Sequence, residues 1–179
     1  MIKVYYCDVI GLVDYYNLIE ILPDKRKEYV LSISDVNRQK QSVLVWVLLE
    51  KCLSKFHQLT NLDFEFDQQR WKLKNTDLDF SISHSKNFIA VAIGESPVGV
   101  DVEICDSKIL KLKSKFCNSD DIGELTERWT RKESLFKARK GKNFNTTKIF
   151  DEVGHEYKLT VCSDSEEVEF IKVDKNFLF

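Results

Sequence analysis

The residues of this chain best suited to chemistry fall in two stretches. The first runs Phe80-Ser81-Ile82-Ser83-His84-Ser85 and resumes at Pro97-Val98-Gly99-Val100-Asp101-Val102-Glu103. The second is Trp129-Thr130-Arg131-Lys132-Glu133-Ser134-Leu135-Phe136-Lys137. Carboxylates recruit a hard divalent cation, while lysine and histidine recruit phosphate oxygens. Together they point to chemistry on a phosphate ester or anhydride.

Spacing sharpens this. On a strand alternate side chains share a face, so Val98, Val100, Val102 and Ile104 point one way and Asp101 and Glu103 the other. Two residues along a strand are about 7 Å apart, so both acids reach one ion, and Mg²⁺ is commonly held by one or two carboxylates plus water and phosphate. Gly99 beside them leaves room for a ligand. A sheet with one wet face explains the same acids without any function. Ser83, His84 and Ser85 close the preceding strand, where hydroxyls and an imidazole suit phosphate. Adjacent strand residues face opposite sides, so they are no catalytic Ser-His pair; a hydrogen-bonded polar turn is the plain alternative. Trp129, Glu133 and Lys137 recur every four residues on one side of a helix. Leu125, Trp129 and Phe136 mark its buried stripe, with Glu133 and Lys137 on the border. A solvated Glu–Lys pair, worth about 0.2–0.5 kcal/mol, is the plain reading there. The argument rests on the combination.

The elements that must position these residues follow from patterning. Residues 2–7 read as a strand, 13–21 as a helix stopped by Pro23, and 24–32 as the start of another. The strongest helix covers 35–56, with Asp35 as N-cap and Val36, Val43, Val45, Trp46, Val47, Leu49 and Leu53 on a broad buried face. Residues 62–66 alternate as a half-buried strand does. Strands over 80–83, 89–93 and 98–104, joined by the short turns 86–87 and 94–97, imply an antiparallel meander. A helix over 122–139 ends at Gly141, and strands over 157–161 and 168–173 close the chain. The expected class is α+β, helices packed on antiparallel sheets.

The chain of 179 residues suits one domain or two small lobes; 43% is hydrophobic, including twelve Phe, six Tyr and three Trp. Acids and bases make up 31% but nearly cancel to a formal charge of -2, so no nucleic-acid partner is expected. The five cysteines, Cys7, Cys52, Cys105, Cys117 and Cys162, are scattered without a C-x-x-C pair, which favours reduced thiols over a disulfide framework or a zinc site. No signal peptide and no run of roughly 20 apolar residues is present, so a cytoplasmic protein without a membrane span is expected.

In order and approximate separation, the segments F-S-I-S-H-S-K, P-V-G-V-D-V-E and W-T-R-K-E-S-L-F-K-A-R-K-G resemble the 4′-phosphopantetheinyl transferase superfamily, the surfactin-synthetase-activating type of holo-acyl-carrier-protein synthase. Its pattern reads F-N-I/L-S-H-S-G, then P-V/I-G-V/I-D-V/I-E, then W-x-x-K-E-A/S-x-x-K-x-x-G. The resemblance implies two similar lobes with pseudo-twofold symmetry, each a small antiparallel sheet on a long helix. Residues 1–95 would form the lobe on the coenzyme A 3′-phosphate side, and residues 96–179 the lobe with the metal ligands and the catalytic helix. It implies Mg²⁺-dependent transfer of the 4′-phosphopantetheine arm of coenzyme A to a serine of an acidic apo acyl or peptidyl carrier protein, with release of adenosine 3′,5′-bisphosphate. The carrier would serve fatty-acid, polyketide or nonribosomal-peptide synthesis, and the enzyme would act as a monomer.

By motif position Asp101, Glu103 and Glu133 match the metal ligands, Glu133 also being the base for the serine hydroxyl, and Lys137 matches the lysine on the pyrophosphate. Ser83 and His84 match coenzyme A contacts. Pro23-Asp24-Lys25-Arg26 and Asp35-Val36-Asn37-Arg38 resemble segments gripping the 3′-phosphate, nominating Lys25 and Arg38. Arg70-Trp71 stands where the pattern has Lys-Pro, nominating Arg70. Lys86 and Asn143 replace glycines, and Asp120 follows Phe116-Cys117 in place of an acid after Phe-Phe. Lys108, Lys111, Lys113 and Lys115, with Arg128, Arg131, Arg139, Lys140 and Lys142, would face the acidic carrier. The alternative is a non-catalytic relative that binds coenzyme A or a carrier protein.

Overall fold

The chain opens with β1 (Ile2–Asp8), as its alternation requires. The computed structural model describes residues 1–67, 70–74, 76–116 and 119–179; Cys117 lies outside them. Where a helix is expected over 13–21, only a 3₁₀ turn at Tyr16–Ile19 forms, and Val13 and Tyr16 stand exposed where a longer helix would need a buried face. Then come α1 (Asp24–Leu31) and α2 (Val36–His57). The Asp35 carboxylate accepts from the Arg38 backbone N–H at 2.8 Å, the cap its residue type promises. A hairpin of β2 (Phe64–Asp67) and β3 (Arg70–Leu73) follows, then β4 (Asp79–Ser85), β5 (Phe88–Gly94) and β6 (Val98–Ile104). The short α3 (Lys113–Phe116) precedes α4 (Ile122–Ala138), after which come β7 (Asn143–Phe150), β8 (Glu156–Ser163) and β9 (Val168–Lys172).

Two larger sheets result, ordered β4-β5-β1-β9 and β6-β8-β7. The α+β class holds. The first sheet is mixed and not antiparallel throughout, because β9 pairs with β1 in parallel, Ile2 opposite Val168. The meander expected from β4 to β6 stops after β5. A strand has two edges, and those of β5 are taken by β4 and β1, so β6 swings away and pairs with β8 instead. The two tail strands likewise part company, one joining each sheet.

α2 covers one face of the first sheet, burying Trp46, Leu49 and Leu53 against Tyr5, Phe80, Ile89 and Val91. The opposite face (Ile2, Val4, Phe88, Ala90, Ala92) meets Val98, Val100, Val102, Leu159 and Val161 of the second sheet. α4 closes the far side against β6 and β8. The layers run helix, sheet, sheet, helix.

The stripe on α4 differs from the one expected. Phe136 is 79% exposed, and the buried face is Leu125, Thr126, Thr130, Ser134 and Ala138. These mostly small residues let α4 lie close to its sheet; the Thr130 and Thr160 hydroxyls bond at 2.7 Å. The left-handed cap comes two residues before Gly141, at Arg139, whose N–H donates to the Leu135 carbonyl.

Gly99 also has a different purpose from the one its position suggests. A Cβ there would fall on the Ser134 carbonyl oxygen and within 2.5 Å of the Ala138 nitrogen, so the space belongs to α4 and not to a ligand. Backbone on both sides leaves no side chain to move. Gly99→Ala is expected to cost about 1–3 kcal/mol, the usual scale of overpacking, read as a lower urea midpoint with unchanged slope.

Candidate functional site

The site is built where the edge strands β4 and β6 run side by side. Every second residue of β4 offers a side-chain oxygen to every second amide of β6. Val98 N donates to Asp79 Oδ2 at 3.0 Å, Val100 N to Ser81 Oγ at 3.0 Å, Val102 N to Ser83 Oγ at 3.2 Å and Ile104 N to Ser85 Oγ at 3.3 Å. The other face of this strand pair carries the acids.

Asp101 is 4% exposed. Its Oδ1 accepts from Ser83 Oγ at 3.0 Å and from Lys137 Nζ at 2.7 Å, and Lys137 also donates to the Val100 carbonyl at 3.0 Å. Burial holds the Asp101 carboxyl above the usual range against the pull of Lys137 and Ser83. Glu103 Oε2 accepts from Ser85 Oγ at 2.7 Å. Burial, reinforced by the charges of Asp101 and Glu133, pushes Glu103 up to about 7 despite the Ser85 bond and Lys137. On α4, Lys137 thus meets Asp101, and half-buried Glu133 is close enough for its charge to act on Glu103. Among the described residues, however, no three or more His, Cys, Asp or Glu side chains gather closely enough to hold a metal ion.

Two cavities meet at this seam. One of about 320 Å³ is lined by Arg26, Tyr29, Ser42, Ser83, Asp101 and Lys137 among others. A larger one of about 830 Å³ is lined by Arg38, Gln41, Lys86, Lys108 and Trp129 among others. His84 and Glu103 border both. His84 is pressed down to about 4, by burial first and then by the positive charges of Lys137, Arg26 and Arg38. It is a neutral imidazole at physiological pH.

Not all the expected residues meet here. Ser83 turns its hydroxyl to β6 and Asp101. Lys25 is exposed on α1, whereas its neighbour Arg26 is buried, lies over the Trp46 ring at 5.0 Å and bonds the Ser42 carbonyl and hydroxyl. Arg26 shares the buried face of α1 with Val30, a four-residue spacing that could have singled it out. Arg70 stands at one end of the seam, pairing with Asp79, donating to the Phe80 and Val98 carbonyls and lining a third cavity with Lys137, Phe136 and Arg139. Lys86 sits at the hairpin tip with φ 51, the left-handed region where the family pattern has glycine.

Two buried side-chain atoms in the described residues have no hydrogen-bond partner, Asp101 Oδ2 and Arg26 Nε. Both residues line the smaller cavity. A buried carboxylate oxygen left unpaired costs about 1–3 kcal/mol or more, and a hard cation is the partner that suits it. Asp101 and Glu103 thus fit a divalent ion by donor type and setting.

No family model matches the sequence. The chain is similar to the 4'-phosphopantetheinyl transferase gsp of Aneurinibacillus migulanus, 26% identical over 129 residues, with 64% of this chain and 54% of the relative covered. The match spans about half the length of that relative. It supports the superfamily resemblance carried by the three motifs. No helix among the described residues is long and apolar enough to cross a membrane.

The depressed His84 has a sign that can be checked. Between its ordinary 6.5 and about 4, the unfolded chain takes up a proton that the folded one refuses, so stability falls as pH drops through that window. Glu103, raised from 4.5 to about 7, acts oppositely and gains stability over nearly the same window. Comparing variants separates the two. His84→Asn is expected to lose less stability than the unsubstituted protein between about pH 7 and about pH 5 in urea titrations, since each unit of pKa shift corresponds to about 1.4 kcal/mol. Equal losses would remove His84 from the account.

Proposed function

We propose that this chain is a Mg²⁺-dependent 4′-phosphopantetheinyl transferase of the surfactin-synthetase-activating type, moving the arm of coenzyme A onto a serine of an acidic apo carrier protein. The observation that carries the proposal is the pair of unpartnered buried atoms, an acceptor on Asp101 and a donor on Arg26, in residues lining one cavity. A cation and a phosphate would satisfy one each. The relative's name supports the same reaction class.

In this reading residues 1–95 and 96–179 act as two pseudo-symmetric lobes, with coenzyme A between them. Its 3′-phosphate would enter the larger cavity beside His84, Arg38, Lys86 and Lys108. Asp101, Glu103 and Glu133 would hold the ion, which supplies charge stabilisation on the pyrophosphate. Lys137 uses two donors on Val100 and Asp101, leaving the third for a phosphate oxygen. Glu133 accepts the proton of the carrier serine as its oxygen attacks the β-phosphorus, and adenosine 3′,5′-bisphosphate leaves. The carrier would approach the lysines from Lys108 to Lys115. Arg128 and Arg131 are already paired with Glu124 and Glu127 on α4, which weakens that part of the basic surface. The chain would work as a monomer in the cytoplasm, and the carrier would serve fatty-acid, polyketide or nonribosomal-peptide synthesis.

Incubation with an apo carrier protein, Mg²⁺ and coenzyme A tests the proposal by mass spectrometry. A gain of one phosphopantetheine arm is expected. Coenzyme A binding without that gain would favour the non-catalytic alternative. Asp101→Ala or Glu133→Ala is expected to lower turnover by at least about 10²-fold, the scale of a single electrostatic or acid-base group. Reversing Lys111 and Lys113 to Glu should raise KM for the carrier and leave coenzyme A affinity unchanged; equal effects on both would count against a carrier surface there.

A further inference from the structure

We propose that Ser83 and Ser85 are positioning residues that aim the two β6 carboxylates at a divalent ion, an inference that rests on the transferase reading. Each hydroxyl bonds twice. Ser83 Oγ accepts from Val102 N and donates to Asp101 Oδ1; Ser85 Oγ accepts from Ile104 N and donates to Glu103 Oε2. The acceptor role fixes the hydroxyl on a β6 amide, and the donor role then turns the acid one residue before that amide. A hydroxyl has one proton, so each serine ties one carboxylate oxygen and leaves the other without that bond. Asp101 shows the result, with Oδ1 doubly bonded and Oδ2 unpartnered.

The fold contains its own control. Ser81 makes the same bond to Val100 N at 3.0 Å, but the residue at the place corresponding to Asp101 and Glu103 is Gly99. Ser81 therefore serves the strand joint alone, while Ser83 and Ser85 serve the joint and the acids. Residues that orient ligands in this way typically alter metal affinity by about 10–100-fold when lost.

The test compares Ser81→Ala, Ser83→Ala and Ser85→Ala by thermal unfolding and by titration with Mn²⁺, with and without coenzyme A. All three should lower Tm alike. Only Ser83→Ala and Ser85→Ala should weaken Mn²⁺ binding, by about 10–100-fold, and Ser85→Thr should keep it. If Ser83→Ala fails to fold, the Ser85→Ala and Ser85→Thr pair decides. Equal Mn²⁺ loss in all three alanine variants, or none at Ser83 and Ser85, overturns the assignment. So does absence of saturable Mn²⁺ binding by the unsubstituted protein. The carrier modification assay run alongside separates the two readings, because Mn²⁺ binding with the expected serine pattern but no transfer would remove the transferase activity and keep the positioning role.

Discussion

The joint between β4 and β6 governs this molecule. Two sheet edges usually meet through backbone carbonyls, but here one strand presents Asp79, Ser81, Ser83 and Ser85 to the amides of the other. Each of those amides, left without an acceptor in the interior, would cost about 1–3 kcal/mol, so apolar residues at the same positions could not close the seam. A side chain between the strands also spaces them apart. The smaller cavity opens along that line, bordered by Ser83 and His84 on one strand and Asp101 and Glu103 on the other. The same bonds that unite the sheets thus leave room for a ligand between them.

Electrostatics at the seam are decided by burial. Asp101 has a lysine at 2.7 Å and a hydroxyl at 3.0 Å, yet its carboxyl is still pushed upward; Glu103, with a hydroxyl bond from Ser85, is raised as well, to about 7. The Lys137 ammonium acts on both acids of β6. The neutral His84, held that way by burial first and then by nearby cations, adds no charge to help them. In the proposed function a cation on the carboxylates and an anion among Lys137, Arg26 and Arg38 would satisfy these charges.

The sequence revealed local pattern more readily than pairing. The helix capped by Asp35, the alternating acids of β6 and the Trp129, Glu133, Lys137 row were legible because each depends on spacing along one element. β7 was not foreseen: its run Asn143-Phe144-Asn145-Thr146-Thr147-Lys148 is polar, and it becomes a strand because β8 offers it an edge. Sheet membership of β6 and β9 depends on which edges are occupied, a tertiary fact that periodicity does not carry. Gly99 was misread for a related reason, since the partner filling its space lies on an element many residues away. The alternation Asp79-x-Ser81-x-Ser83-x-Ser85 was visible, but its meaning required knowing that another strand lies beside it.

The parallel pairing of β9 with β1 has a kinetic consequence. Ile2 faces Val168, so the first sheet lacks its outer strand until residues 168–172 have been synthesised. During translation β1 keeps a bare edge of unpaired amides and carbonyls, the feature most prone to recruit another chain. Bringing such distant segments together is slow, because loop-closure entropy must be overcome before the contacts form. The nascent protein therefore passes through a long window in which shielding of that edge by a chaperone would govern its yield.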